Sequence, residues 1–169
     1  SIDPAKVAAR ARQGIAVKSV PDQRWGRCDL KTVMLLPAAL AKEAARTAGA
    51  QEAWFVDEAG FVTEGASSNA CIVRPDGFVL TRPLDNRLLG GVTRATALEV
   101  LKTQGVPVEQ RAFTIAEAQA AKEAFVTSAS ATVMPVVMID GRAVADGKPG
   151  PVTLRLREKF HDLAEITPV

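Results

Sequence analysis

Tyrosine is absent from the 169 residues, histidine occurs once and cysteine twice. Each scarcity removes a class of chemistry. With His161 as the lone histidine, a His-rich metal site or a Ser-His-Asp triad would rest on a single candidate, and a solitary histidine is most often structural or simply exposed. The two cysteines, Cys28 and Cys71, lack the spacing of a disulfide framework, which points to reduced thiols in a cytoplasmic protein. There is no Gly-x-Gly-x-x-Gly opening a helix and no Gly-x-x-x-x-Gly-Lys-(Ser/Thr), so dinucleotide and P-loop readings lose their motifs. Any general acid or base must come from Lys, Asp, Glu or a thiol. No apolar run approaches the length of a membrane span, and Ser1-Ile2-Asp3-Pro4 does not read as a signal peptide. A net charge of +2, with 21 Lys and Arg spread along the sequence, gives no case for nucleic acid or a membrane surface.

What is present fits one domain with a real core: 47% of the residues are hydrophobic and 24% charged, the balance of a globular rather than a disordered chain. Residues 4–14 read as a short helix or linker ended by Gly14, and Ile15 to Val20 as a strand stopped by Pro21-Asp22. From Thr32 the spacing of Val33, Leu36, Leu40 and Ala44 predicts a helix that runs to Gly49, with Pro37 tolerated in its first turns. Residues 52–57, 60–63, 69–74 and 78–81 are short apolar runs separated by turn residues and predict a meander of strands, in which adjacent Trp54 and Phe55 face opposite sides as core. A helix over about 93–104, a strand over 106–113 and a second helix capped by Thr114 with Glu117 follow. Further strands are expected at 125–127 and 136–139, then a tight Asp140-Gly141 hairpin and a terminal helix after Pro151. The expected fold class is α+β, with mixed, largely antiparallel strands and flanking helices.

The stretch that organises the chain is Arg24-Trp25-Gly26-Arg27-Cys28-Asp29-Leu30-Lys31-Thr32, followed by the apolar run Val33-Met34-Leu35-Leu36. A lysine at the mouth of an apolar segment can be desolvated, which favours the neutral amine that imine chemistry needs. Three more motifs follow in order: Glu64-Gly65-Ala66-Ser67-Ser68-Asn69, Leu88-Leu89-Gly90-Gly91-Val92-Thr93-Arg94, and Phe125-Val126-Thr127-Ser128. Taken as residues alone, Glu64 is a strand-end glutamate beside a turn, Ser67 and Ser68 are turn serines, and Thr93 can cap a helix. Two glycines before a helix also let the backbone approach an anion that the helix N-terminus favours.

Together these motifs, with the C-terminal Asp146-Gly147-Lys148-Pro149-Gly150, resemble the fold-type IV pyridoxal-phosphate enzymes, in particular the D-amino-acid transaminase group. The resemblance covers nearly the whole chain. It implies pyridoxal 5'-phosphate as cofactor, with Lys31 holding its aldehyde and moving the substrate proton, and with Glu64 facing the pyridine nitrogen. It further implies that Leu89 lies against the ring, that Gly91, Val92 and Thr93 form the phosphate cup, and that Ser67, Ser128 and Ala129 contact the cofactor. Ala129 departs from the pattern, since many relatives have a threonine there; its backbone amide survives, and Ser128 or Ser130 would have to supply the missing hydroxyl.

The resemblance also implies a smaller N-terminal domain that supplies an arginine for the phosphate and the groups that grip the substrate carboxylate. On that pattern residues 1–20 are an interdomain linker and first strand, and 21–169 the pyridoxal-phosphate-binding large domain, with Ser1 falling after the small domain. Arg24 and Arg27 are read as packing or salt-bridging within the large domain. The expected reaction is ping-pong transfer of an amino group between a D-amino acid and a 2-oxo acid, in a cytoplasmic homodimer. Branched-chain transaminase and aminodeoxychorismate lyase are alternatives on the same fold. A catalytically silent domain is the alternative from another class, and these residues without the small domain are expected to turn over weakly or not at all.

Overall fold

Asp3 opens the first helix by accepting hydrogen bonds from the amides of Ala5 (3.0 Å) and Lys6 (3.4 Å), with Pro4 in the first turn where its missing donor costs nothing. The helix, α1 (Pro4–Gln13), stops at Gly14, whose φ of 78° suits glycine and whose Cβ would collide with Val137. In the computed structural model, which describes residues 3–165, the chain then forms β1 (Ile15–Pro21), α2 (Leu36–Thr47), β2 (Glu52–Val56), β3 (Val62–Gly65), β4 (Asn69–Val73) and β5 (Val79–Thr81). There follow α3 (Val92–Thr103), β6 (Val108–Gln110), α4 (Ile115–Gln119), β7 (Glu123–Ser128), β8 (Thr132–Ile139), β9 (Arg142–Ala143) and α5 (Pro151–Glu165). Ser1, at the head of the expected 1–20 segment, and the end of the expected 21–169 domain lie outside the described residues.

The strands form one curled sheet in the order β3-β2-β1-β8-β7-β4-β5-β6, with β9 paired to β8. Pairing is parallel for β1 with β2, β1 with β8, and β5 with β6, and antiparallel elsewhere, so the α+β expectation holds. The expected meander does not. Although β2–β3 and β4–β5 are hairpins, β1, β8 and β7 are inserted between them, because β1 pairs in parallel with β2 and needs a long crossover, here the loop 22–35 and α2. Curling brings β3 back beside β4, joined through the turn in which the Gly65 amide donates to the Ser68 carbonyl at 2.7 Å.

Two elements come out shorter than their patterns. The helix expected from Thr32 starts at Leu36, and its buried face is Ala41 and Ala45, while Val33, Met34, Leu35, Leu36 and Leu40 are exposed. Apolar spacing marks a real helix but not the face that packs: the small alanines let α2 sit close on Ala53 and Phe55 of β2. The strand expected over 106–113 is confined to Val108–Gln110, because the chain then leaves β5 and crosses to β3, where the Phe113 carbonyl accepts from Val62 at 2.9 Å and Phe61 bridges Thr114.

Trp54 and Phe55 do face opposite sides. Trp54 lies in the main core, edge-on to Phe113 with ring centroids 6.1 Å apart, and Phe55 lies under α2. The Thr114 capping box forms as expected, with the hydroxyl bonded to the Glu117 amide and the Glu117 carboxylate to the Thr114 amide. The Asp140-Gly141 hairpin also forms, with both residues at positive φ. A tie that the sequence does not announce docks α5: the buried Glu123 accepts from the first-turn amides of Val152 (2.9 Å) and Thr153 (2.8 Å). A side chain on Gly150 would strike that carboxylate.

Glu123→Ala should therefore cost about 2–4 kcal/mol, because two helix amides lose a charged acceptor in a buried setting, against about 1 kcal/mol for Thr114→Ala. Urea unfolding of both variants checks this, and equal losses would mean that α5 is held mainly by its apolar face.

Candidate active site

Lys31 stands in the loop between β1 and α2, beyond the C-terminal end of a parallel strand, where open sheets place their ligand sites. Asn86 clamps this loop, donating through Nδ2 to the Gly26 carbonyl (3.0 Å) and accepting at its own carbonyl from the Cys28 amide (2.8 Å). Within the loop Arg27 forks onto Asp29 at 2.8 Å through both nitrogens, and the Thr32 hydroxyl accepts from the Met34 amide at 3.2 Å. Lys31 is exposed, and its carboxylate neighbours in the loop are already claimed: Asp22 by Arg24 and Asp29 by Arg27. Among the described residues the amine is thus left uncommitted. The desolvation expected from the run Val33 to Leu36 is not supplied, because those side chains are themselves exposed in the described residues, Val33 at 94%.

Glu64 closes the inner end of β3 and is the best-supported polar group of the site. Its Oε1 accepts from Arg24, and its Oε2 accepts from Asn69 Nδ2 and from the Leu89 amide, both at 3.1 Å. Burial pushes this carboxyl up to about 7, with Arg24 and the Leu89 amide opposing the rise. Arg24 is held on every side. It forks onto Asp22 (2.9 and 2.8 Å), donates to the Thr63 hydroxyl (3.1 Å) and the Arg87 carbonyl (2.9 Å), and stacks 4.3 Å from the centre of the Phe55 ring.

Asn69, at the start of β4, joins this carboxylate to the next motif, because the same Nδ2 donates to the Leu89 carbonyl at 2.8 Å. Leu89 is pinned at both its amide and its carbonyl, and α3 begins just after it. The cap of α3 is Gly91, not Thr93, and no side chain caps it, so the first-turn amides of Val92, Thr93 and Arg94 have no helical partner. A Cβ on Gly91 would lie 2.3 Å from Asn69 Oδ1, so the position has room only for glycine. Thr93 is buried in that first turn and Val92 is exposed beside it.

Across the sheet Asn69 is paired with Thr127, which places both on one face, and the buried Thr127 hydroxyl has no partner among the described residues. The following turn carries Ser128 and Ala129. The Ser128 hydroxyl accepts from the Ala131 amide at 3.2 Å and lies 3.4 Å from Ser130, and Ala129 is exposed. Arg157 of α5 fixes the far side of this turn, donating to the Ala131 and Val133 carbonyls (both 2.6 Å) and to Thr132, which stands at φ 56°.

The structure thus brings Glu64, Leu89 and Gly91 together through Asn69, and sets the Ser128-Ala129 turn behind Thr127. It takes Ser67 elsewhere, since Ser67 and Ser68 both donate to Glu52, which also pairs with Lys42. Asn69 sits inside one of the sequence motifs, but its shared strand end with Thr127 becomes visible only once the strands are paired. Arg24 pairs within the domain as read, but its partner Glu64 is distant in sequence. Neither thiol is a neutral-pH nucleophile: burial pushes Cys71 up to about 11 and Cys28 also upward. A cavity of about 470 Å³ between the ends of β1 and β2 and α4 includes none of these site residues.

The donor set fits an anionic, ring-bearing cofactor: an uncapped helix N-terminus with a glycine cradle for a phosphate, a buried carboxylate for a ring nitrogen, and a free amine on an adjoining loop. Comparison with known proteins agrees. The chain is 43% identical over 153 residues to the D-alanine aminotransferase of Staphylococcus haemolyticus, covering 90% of this chain and 53% of that protein. It is 40% identical over 146 residues to the D-alanine aminotransferase of Listeria monocytogenes, covering 86% and 49%. Among solved structures it matches the T.th. branched-chain amino acid aminotransferase complexed with N-(5'-phosphopyridoxyl)-L-glutamate, with a TM-score of 0.82 and 34% identity over 90% of this chain and 52% of that one. The chain spans about half the length of the relatives it matches. No helix among the described residues is long and apolar enough to cross a membrane. The model of the amino-transferase class IV family matches residues 1–139, and the chain belongs to that family.

Proposed function

We propose that this chain is the cofactor-bearing large domain of a pyridoxal-phosphate-dependent aminotransferase that moves an amino group between a D-amino acid and a 2-oxo acid. The observation that carries the reading is the pairing of the buried Glu64 carboxylate with the uncapped start of α3, held together by Asn69 and Leu89. One of these groups suits a protonated ring nitrogen and the other a phosphate, and one cofactor carries both. Bound, that cofactor supplies an aldehyde and an electron-accepting ring. The chain's residues do the rest. Lys31 would hold the aldehyde and, once released, carry the proton to and from the substrate Cα, Glu64 would keep a proton on the ring nitrogen, and Leu89 would face the ring. The amides of Gly91, Val92 and Thr93, the Thr93 hydroxyl, and the turn at Ser128 and Ala129 would hold the phosphate. Ser67 reaches the cofactor only by giving up Glu52.

The preference for D-amino acids is supported by the D-alanine aminotransferases at 40–43% identity. A second reading, branched-chain L-amino acids, is supported by the solved neighbours. We further propose that a smaller domain preceding these residues grips the substrate carboxylate, and that the cytoplasmic protein works as a homodimer. The exposed apolar stretch of Val33, Met34, Leu35, Leu36 and Leu40, out of place on a free surface, supports burial against such a neighbour.

Incubation with pyridoxal phosphate followed by borohydride reduction should leave one adduct, on Lys31, located by peptide mass. Lys31→Ala should abolish the adduct and shift stability by no more than about 0.5 kcal/mol, since the side chain is exposed; label scattered over surface lysines would refute the assignment. Gly91→Ala should weaken cofactor binding by about tenfold or more, because the new methyl must displace Asn69 and with it the links to Glu64 and Leu89; an unchanged dissociation constant would remove the phosphate cup from α3. In turnover assays of the full-length protein, D-alanine should outperform L-leucine as amino donor, and activity confined to L-leucine would overturn the D-amino-acid reading.

A further inference from the structure

Removing Glu64 from water disfavours its charged form, and a carboxylate that serves a ring nitrogen has to stay charged to do so. The groups that face it decide the outcome. From the loop after β1 come Arg24, Asp22 and Cys28; from its own strand, Thr63; from β4, Asn69; and from the approach to α3, the Leu89 amide. Arg24 is the cation among them, and the Asp22 carboxylate opposes it by repelling Glu64. Arg24 lies on the same loop as Lys31 and is only 12% exposed at its side chain, so its charge is felt through protein rather than through water.

We propose that Arg24 is a positioning residue for the cofactor ring: by its ion pair to Glu64 it favours the ionised form of that carboxylate and aims it, so that the loop bearing Lys31 also influences the protonation of the ring nitrogen. This rests on the cofactor reading given above. The geometry supports it beyond simple packing. Each Glu64 oxygen has a different task, Oε1 to Arg24 and Oε2 to Asn69 and Leu89, so the carboxylate is fixed in plane and not merely neutralised. Arg24 is in turn oriented by four other acceptors and an aromatic face, which leaves its Nη1 directed at Glu64.

The test compares wild type, Arg24→Gln and Arg24→Lys. The Glu64 carboxyl is titrated in the apoprotein by carbon-13 NMR, with Glu64→Gln to assign the signal. In parallel, the pH dependence of binding is measured for pyridoxal phosphate and for its analogue with carbon in place of the ring nitrogen. Arg24→Gln should raise the Glu64 midpoint by about one pH unit or more and weaken pyridoxal phosphate binding at neutral pH about tenfold, a loss that shrinks as the pH rises past the new midpoint. The ring-carbon analogue should bind wild type and variant alike. Arg24→Lys, which keeps the charge but loses the fork, should fall between. An unmoved Glu64 midpoint, or an equal loss for both ligands, would overturn the proposal and leave Arg24 a structural residue. Should Arg24→Gln fail to fold, Arg24→Lys decides the matter by the same two criteria. Failure of wild type to bind pyridoxal phosphate would refute the cofactor reading instead, and the apoprotein titration would still show whether Arg24 governs Glu64.

Discussion

The buried ion pair between Arg24 and Glu64 joins the two halves of the site. The loop 22–35 has little apolar content directed inward, and without an anchor it would be free to swing about the end of β1. Arg24 fastens it to β3, and Asn86 fastens it again from the loop before α3. A buried pair of this kind is costly to break, because the partner left behind must either keep a charge in a place that water cannot reach or give that charge up by taking a proton. Lys31 is therefore carried on a segment whose base is rigid while its own side chain remains free.

That division between a fixed base and a free amine suits the role proposed for Lys31, which would first hold one group and then release it. Both arginines of the Lys31 loop are committed, Arg24 to Asp22 and Glu64 and Arg27 to Asp29. By occupying the carboxylates of the loop, Arg24 and Arg27 leave Lys31 without an ion-pair partner among the described residues. The loop thus works by pairing all of its charges except one.

Much of this is legible in the sequence where local chemistry decides structure. The capping box at Thr114, the Asp140-Gly141 hairpin, the opposite faces of Trp54 and Phe55, and the helix beginning after Gly90-Gly91 all follow from residues close to one another. The failures of the strand reading share a cause, since each needs the pairing of distant strands. The meander fails because β1, β8 and β7 lie between the β2–β3 and β4–β5 hairpins, and the strand after Val106 is cut short because its chain is drawn to β3. The packed face of α2 escapes the apolar spacing because alanines, not the larger leucines, make the contact with β2. In the site, Lys31, Glu64 and Gly91 stand out as motif residues, whereas Asn69 gains meaning only once β4 is laid beside β7 and under Leu89.

The close approach of Gly91 to Asn69 also couples two positions in the history open to such a chain. A side chain can be admitted at 91 only if the amide at 69 is first shortened or withdrawn, yet shortening it breaks the bonds to Glu64 and to Leu89. Either single step damages the site before the other can compensate for it. The glycine is therefore held in place less by its own conformation, an ordinary extended φ of −65°, than by its neighbour's two obligations.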